Sequence, residues 1–333
     1  NATVTVSFDG GEAREIAAFD QDVFSKHESI GVDVPAGAKN MQVSFSYNNG
    51  NDDWWWAVDN VGVVKPLGEL QGSPQATVDV LSDVQGDPQD YKDAIRQLNG
   101  MEDKAGALVL NGDLVDDGSQ QQWDDFLAAH SEVPHDSGKE LWTIGNHEMY
   151  GKEGSKTYLD RFLKYSGQDK PWKEEVVDGV PLISVNTEFY SDILRHGKEP
   201  FQRLSKEQLD WLDARLAYWD AKGTPALVFS HPLLPQTVSM SHSAWYQNDF
   251  EDLEALSNVV NKYNNIVWFS SHSHSSLHQN NWWGTRRYDG TGEAGRTGFP
   301  VVNTGAILNE YLPDGDNDET IVKEKEEAST GLR

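Results

Sequence analysis

The 333-residue chain contains no cysteine, and this absence limits the chemistry that its side chains can perform. Disulfide bonds and thiolate metal sites are excluded, so any metal ligands must be His, Asp, Glu, Asn or Gln. No apolar run approaches the roughly 18 residues that a membrane-spanning helix needs. The chain begins at Asn1 without Met or a signal segment, and we expect a processed piece of a longer, secreted or cell-surface bacterial polypeptide.

Cationic side chains are scarce as well. The chain has 27 Lys and Arg against 54 Asp and Glu, which gives a formal net charge of −27. This charge opposes binding to nucleic-acid backbones and anionic membranes, so no nucleic-acid polymer is expected as a partner. The hydrophobic content of 37% is enough for a full core, in one large domain or in a medium domain with a small one.

Short alternating segments with glycine and asparagine turns occupy the first 66 residues. Period-two strands are predicted at residues 3–8, 29–34, 41–47 and 54–64. They predict a small antiparallel all-β sandwich as an accessory module at residues 1–66. The segment Asp52–Val61 resembles the last strands of jelly-roll accessory modules on secreted bacterial enzymes, although the module is short for a complete jelly roll.

Two ligand hypotheses concern this module. The run Trp54-Trp55-Trp56 is either a glycan-binding platform or a set of rings buried in the sandwich. Asp52, Asp53 and Asp59 are either ligands of a structural calcium ion or members of a solvated acidic turn. A glycan contact and a calcium site are therefore open predictions for residues 1–66.

The pattern changes after a linker at residues 67–75. Strands are predicted at residues 76–81, 107–110, 141–144, 182–185, 226–229, 266–269 and 301–302, and helices at residues 90–98, 120–129, 206–219 and 250–263. Alternation of strands and helices predicts an α/β domain at residues 76–312, with layered sheets covered by helices. Residues 313–333 are predicted to be an acidic tail or linker.

Polar clusters follow five of the predicted strands, at residues 82–87, 111–118, 145–148, 230–232 and 271–274. Ligands of α/β folds collect at the carboxyl ends of strands. Carboxylates, amides and imidazoles without thiols favour paired divalent cations, such as Mn, Fe, Zn or Mg, over a closed structural zinc site. One cluster alone has an ordinary interpretation, such as a helix N-cap at Asp113, but five in this order indicate a site.

The order of these clusters resembles the motif blocks of the calcineurin-like metallophosphoesterase family, over about residues 76–309. The blocks are Ser82-Asp83-Val84-Gln85, Gly112-Asp113 with Asp116, Gly145-Asn146-His147-Glu148, His231, and Ser271-His272-Ser273-His274. The resemblance implies a layered β-sandwich flanked by helices. It also implies a hydrolase that uses two divalent or mixed-valence metal ions and an activated water on a small phosphomonoester or phosphodiester.

The resemblance further implies a role for each matching residue. Asp113 would bridge the two metals. The first metal would also be held by Asp83, Gln85 and His274, and the second by Asn146, His231 and His272. His147 would protonate the leaving group, with Asp116 keeping its ring oriented.

Three features bear on the branch and the substrate. Gln85 stands where many members of the family have histidine, and Asp117 stands where the serine/threonine protein phosphatases have arginine, which argues against that branch. His196 and His242 are candidate substrate contacts, with ordinary solvent-exposed loop histidines as the alternative. The alternative function is a cell-surface glycan-binding or adhesion protein with a degenerate phosphoesterase domain.

Overall fold

The computed structural model describes residues 2–21, 30–48, 56, 58, 75–189, 200–241, 246, 248–277, 282–286, 298–314 and 317–326. The chain divides into two compact units, Asn1–Ser73 and Pro74–Arg333. Among the helices in the described ranges, none has the length and apolar character needed to cross a membrane.

The first unit contains an antiparallel sheet of β1 (Ala2–Phe8), β2 (Arg14–Phe19) and β3 (Met41–Tyr47), in the order β2-β1-β3. Val4 and Val6 of the central strand are buried, as the period-two pattern of β1 predicts. Strand β2 was not predicted, because its residues do not alternate. Residues 30–34 form no strand, although one was predicted there.

The ring of Trp56 packs within this unit, with its centroid 5.9 Å from that of Phe19 and 6.2 Å from that of Phe45. These contacts favour the core interpretation for this ring. Trp54 and Trp55 lie outside the described residues, as do the three candidate calcium ligands Asp52, Asp53 and Asp59. The glycan and calcium hypotheses therefore stay predictions.

The second unit is built on two sheets. Strands β4 (Val78–Leu81), β5 (Ala107–Asn111) and β6 (Glu140–Thr143) form a parallel sheet in that order. The other sheet contains β7 (Lys173–Val177), β8 (Val180–Ser184), β9 (Ala226–Phe229), β10 (Ile266–Ser270), β11 (Trp283–Arg286) and β12 (Phe299–Asn303). Its order is β11-β12-β10-β9-β8-β7, with a parallel centre and antiparallel outer strands β7 and β11.

Helices cover the outer face of each sheet, and the two inner faces pack on each other. Helices α1 (Pro88–Gly100), α2 (Gln120–Glu132) and α3 (Ser155–Ser166) share a buried apolar cluster with the first sheet. Helices α4 (Lys206–Asp220) and α5 (Leu253–Val260) share another with the second. Val80, Val109 and Leu141 meet Leu182 and Phe229 between the sheets. The predicted α/β fold class, a β-sandwich flanked by helices, is confirmed.

The segment after Leu308 differs from the acidic tail expected from residue 313. Strands β13 (Glu310–Asp314) and β14 (Asn317–Glu326) form an antiparallel pair, in which Leu312 lies opposite Val322 and Pro313 opposite Ile321. A short connection between Asp314 and Asn317 and the β-branched run near Ile321 are typical of a hairpin. Charge density therefore did not prevent strand formation here.

Candidate active site

Five of the residues proposed as metal ligands have a left-handed backbone. They are Asp83 (φ 53°), Gln85 (φ 41°), Asp113 (φ 53°), His272 (φ 68°) and His274 (φ 51°). Non-glycine residues rarely adopt positive φ, and each instance costs on the order of 1–3 kcal/mol that the surrounding structure must supply. Such strain concentrates at functional sites, and here it lies in the loops that leave β4, β5 and β10.

Asp113, His231 and His272 converge from three different strands. One ligand atom from each lies within 4.8 Å of the others. His231 Nε2 is 3.0 Å from Asp113 Oδ2 and 3.2 Å from His272 Nδ1. Asp113 and His231 are buried, and His272 is partly exposed. This group of a carboxylate and two imidazoles can hold a divalent cation.

Asp83 and His274 form a second pair beside this group. His274 Nε2 lies 3.2 Å from Asp83 Oδ1, and the backbone N–H of His272 approaches Asp83 Oδ2 at 3.4 Å. The backbone N–H of Asp83 donates to Gly112 O, and that of Gln85 donates to Asp113 O, each at 3.0 Å. These bonds hold the loop after β4 against the loop after β5, so Asp83 stays close to Asp113.

Backbone carbonyls determine which ring nitrogen of each histidine faces the site. His231 Nδ1 donates to Asn111 O at 2.9 Å, and His274 Nδ1 donates to Asn309 O at 2.9 Å. A carbonyl accepts only, so both rings carry a proton on Nδ1 and direct Nε2 toward the carboxylates. Partners of this kind fix the orientation of metal-binding histidines.

The buried carboxylate of Glu148 joins the loops after β5 and β6. It accepts hydrogen bonds from the backbone N–H groups of Asp113 (2.9 Å), Leu114 (2.6 Å) and Gly145 (2.6 Å). Burial and the charge of Asp113 raise the pKa of Glu148 to about 7. Gly145 is needed beside it, because a Cβ at this position would overlap the carboxylate of Asp113.

The electrostatics of the cluster centre on Asp113. Burial raises the pKa of this carboxyl, but the positive charges of His231 and His147 outweigh burial and leave the pKa well below its usual value. Burial lowers the pKa of His231, but Asp113 outweighs it and raises the value to about 10. Burial and the charge of His231 lower the pKa of His272. The carboxylate therefore attracts one positive charge, and a bound cation competes with the proton on His231.

His147 borders this group and is held differently from the sequence prediction. Its Nδ1 donates to the backbone carbonyl of Asp116 at 2.8 Å, whereas the Asp116 carboxylate lies 3.7 Å away and is 63% exposed. Its own backbone N–H donates to Asp113 Oδ1 at 2.8 Å. The carbonyl of Asp116, and not its side chain, provides the close contact that orients the ring.

The two amides among the predicted ligands occupy different settings. Gln85 Nε2 donates to Asp113 Oδ2 at 3.1 Å, so its side chain reaches the carboxylate that is proposed to bridge the metals. Asn146 Nδ2 donates to Tyr150 Oη at 2.7 Å. The structure thus brings the Gln85 side chain to the carboxylate of Asp113. Asn146 directly precedes His147, whose backbone N–H donates to the same carboxylate.

The donor set fits a metal centre in a further respect. Within the described ranges, Asp83 Oδ1 and Asn146 Oδ1 are buried and accept no hydrogen bond, although His274 Nε2 lies near the former. Buried polar atoms are nearly always satisfied, so each such oxygen requires an explanation. Coordination of a cation satisfies both, and hard oxygen with imidazole nitrogen suits Mn, Fe, Zn or Mg.

Sequence reasoning missed the residues that surround the histidines. Asp249 Oδ2 lies 3.6 Å from His272 Nε2, and burial raises the pKa of Asp249 well above its usual value. The rings of Tyr246 and Phe201 pack against His272, and that of Tyr311 stacks on His274. Asp249 precedes α5 as an ordinary N-terminal acid would, so the sequence carried no signal for it. The candidate substrate contacts His196 and His242 lie outside the described residues.

Comparison with known proteins agrees with this geometry. The family model for calcineurin-like phosphoesterases matches residues 76–276. None of the curated proteins matches the chain significantly. Among solved structures, a dimetal phosphatase from Danio rerio is 16% identical with a TM-score of 0.52, and the match covers 75% of this chain and 98% of that one. At this identity the likeness shows a shared fold.

Two further structures are similar at lower scores. A purple acid phosphatase from yellow lupin (Lupinus luteus) seeds is 14% identical with a TM-score of 0.49, over 99% of this chain and 62% of that chain. A 5'-nucleotidase precursor from Thermus thermophilus is 14% identical with a TM-score of 0.43, over 77% and 54% of the respective chains. On the family match, the chain belongs to the metal-dependent calcineurin-like phosphoesterase family and is a hydrolase that acts on phosphoester bonds.

Proposed function

We propose that the protein hydrolyses a small phosphomonoester or phosphodiester at a dinuclear metal centre with a metal-activated water. The observation that carries this proposal is the convergence of ligand atoms from Asp113, His231 and His272 within 4.8 Å. The buried, unpartnered Oδ1 of Asn146 supports ligation of the ion at this group, and the buried, unpartnered Oδ1 of Asp83 supports ligation of another ion.

Asp113 is proposed to bridge the two ions. Its carboxylate is central to the cluster, with Gln85 and His231 both at Oδ2. The remaining ligands are assigned as Asp83, Gln85 and His274 for the first ion and Asn146, His231 and His272 for the second. When bound, a pair of divalent ions acidifies water and offsets the negative charge of the phosphoryl oxygens.

His147 is proposed to give a proton to the leaving oxygen. Its Nδ1 is engaged by the carbonyl of Asp116, so Nε2 is the nitrogen that can exchange a proton with a substrate. Because the side chain is 22% exposed, the ring is also reachable from solvent.

Secretion or a cell-surface location in a bacterium remains part of the proposal, together with an accessory role for residues 1–66. The proposal covers Mn, Fe, Zn or Mg as the metal ions and either a phosphomonoester or a phosphodiester as the substrate. His196 and His242 are retained as candidate substrate contacts.

A substrate panel tests the proposed function. The protein is incubated with Mn²⁺, with Fe and Zn, or with Mg²⁺, and is then assayed with a chromogenic phosphomonoester and a chromogenic phosphodiester. Hydrolysis of at least one substrate, abolished by a chelator and restored by the metal, is expected. The absence of turnover under every metal condition, together with tight glycan binding, would overturn the proposal in favour of an adhesion protein.

A further inference from the structure

Tyr150 follows Asn146 by four residues and makes a contact with it that no sequence motif indicates. Asn146 Nδ2 donates to Tyr150 Oη at 2.7 Å, and the two residues flank a short 3₁₀ turn at His147–Met149. On the other side of the same amide, Oδ1 is buried and accepts no hydrogen bond from the described residues. The amide therefore has a satisfied nitrogen end and an unsatisfied oxygen end.

We propose that Tyr150 is a positioning residue, which holds the Asn146 amide with its oxygen toward the second metal. This inference rests on the proposed function, because it takes Asn146 as a metal ligand. The tyrosine hydroxyl would select the orientation of the Asn146 amide, which the metal ligands alone do not do.

The chemistry of the amide requires such a partner. Only the oxygen of an asparagine side chain can ligate a metal, because the nitrogen carries two protons and accepts nothing. A half-turn of the side chain would exchange the two ends and place the N–H groups at the cation. In the metal-binding orientation the NH₂ group points away, where it needs an acceptor, and Tyr150 Oη supplies one.

The hydroxyl can be separated from the ring. The Tyr150 ring lies 4.6 Å from the ring of His147, measured between centroids, so removal of the whole side chain would also disturb the proposed proton donor. Tyr150→Phe keeps this packing and deletes only the acceptor. Its expected effect is therefore on metal affinity through Asn146.

The test measures binding of Mn²⁺ alone to the full chain, by calorimetry and by the spin-resonance signal of free Mn²⁺. Tyr150→Phe should weaken one of the two Mn²⁺ binding steps about tenfold, which is ~1.4 kcal/mol. Tyr165→Phe is the matched control, because its hydroxyl also accepts an amide N–H, from Gln120 at 2.6 Å, outside the site. The control should bind Mn²⁺ as the wild type does.

A double-mutant cycle with Asn146→Asp distinguishes positioning from a general loss of structure. Both ends of a carboxylate can ligate, so a chain with Asn146→Asp needs no selection between them. In that background Tyr150→Phe should change Mn²⁺ affinity by less than about twofold. The interaction energy between the two substitutions would then nearly equal the effect of Tyr150→Phe alone. An equal loss in both backgrounds would assign Tyr150 a merely structural role and overturn the inference.

The outcomes also separate this inference from the function on which it rests. If the wild type binds Mn²⁺ but Tyr150→Phe binds it equally well, the positioning role fails and the proposed function stands. If the wild type binds no Mn²⁺, the same comparison is made with Fe, Zn²⁺ and Mg²⁺. A wild type that binds none of these ions would overturn the proposed function, and the positioning role with it.

Discussion

At the scale of single residues, the orientation of His147 depends on a backbone carbonyl. Its Nδ1 donates to Asp116 O at 2.8 Å, closer than the Asp116 carboxylate at 3.7 Å. The hydrogen bond from His147 to the proposed metal ligand Asp113 comes from its backbone N–H, whereas its imidazole bonds to Asp116 O. We therefore expect His147 to take part in proton transfer but not in metal binding.

His147→Ala should keep its metal content and lose most of its turnover. Positioned general acids contribute about 10²- to 10⁴-fold to rate, and we expect a decrease in kcat within that range. Elemental analysis and kcat with a chromogenic phosphoester check the two parts. A variant that loses its metal, or one that turns over at the wild-type rate, would contradict the assignment.

Asp116→Asn should have little effect, in contrast to the role that the sequence suggested for the Asp116 side chain. The substitution keeps the carbonyl that accepts from His147, and the carboxylate it removes is 63% exposed and 3.7 Å from Nδ1. Exposed ion pairs contribute about 0–1 kcal/mol, so kcat should stay within about fivefold of the wild type. A loss as large as that of His147→Ala would restore the side chain as the essential partner.

At the scale of elements, the site depends on how closely the loops after β5 and β6 approach. The carboxylate of Glu148 accepts hydrogen bonds from backbone N–H groups of both loops, and Gly145 leaves room for the carboxylate of Asp113. The loops at the strand ends therefore supply both the proposed ligands and the residues that hold them in position. A single added methyl group is enough to test this packing.

Gly145→Ala should lower metal affinity at least about tenfold, because the added Cβ would displace Asp113. Gly100→Ala is the matched control, since a Cβ there meets no atom within 4 Å. Equilibrium dialysis against Mn²⁺ compares the two variants. Equal affinity of Gly145→Ala and the wild type would show that the loops have more freedom than the structure indicates.

The contact between α2 and β6 should make stability depend on pH. Burial raises the pKa of Glu140, but the hydrogen bond and charge of His130 and the indole N–H of Trp142 outweigh it, so the pKa lies below its usual 4.5. A depressed carboxyl pKa contributes stability above the unfolded value of about 4.5, and this contribution disappears as the pH falls through the folded value.

Glu140→Gln isolates this contribution. Denaturant titrations should show the variant ~1 kcal/mol less stable near pH 6, with the difference shrinking toward pH 3. A difference that is constant over this range would mean that the charge of Glu140 does not stabilise the contact.

At the scale of the whole molecule, the sequence predicted the layers well, because their periodic apolar segments pack into the buried clusters between the sheets and under the helices. The strand at residues 226–229 was predicted with its observed bounds, and the five polar clusters all lie at strand ends. The edge strands β7 and β11 were missed, because Lys173, Glu174 and Glu175 or a glycine at 284 interrupt the apolar pattern. Tertiary pairing, not local propensity, makes these segments strands.

The site was less predictable in its supporting contacts than in its ligands. Motif order indicated which side chains belong together, but it could not indicate that Tyr150 accepts from Asn146 or that Asp249 faces His272. These partners come from a turn and from a loop before α5, and only the folded chain brings them to the cluster. The left-handed backbone at Asp83 and Asp113 likewise has no sequence signal, since neither residue is glycine.

The central claim is a dinuclear centre bridged by Asp113, and the number of metal ions bound per chain tests it most directly. Inductively coupled plasma analysis of the wild type after loading and dialysis should give about two divalent ions per chain, as a two-metal site requires. Asp113→Ala, measured in the same way, should retain fewer than about one, because both ions share this ligand. Two ions retained by Asp113→Ala, or none bound by the wild type, would contradict the account.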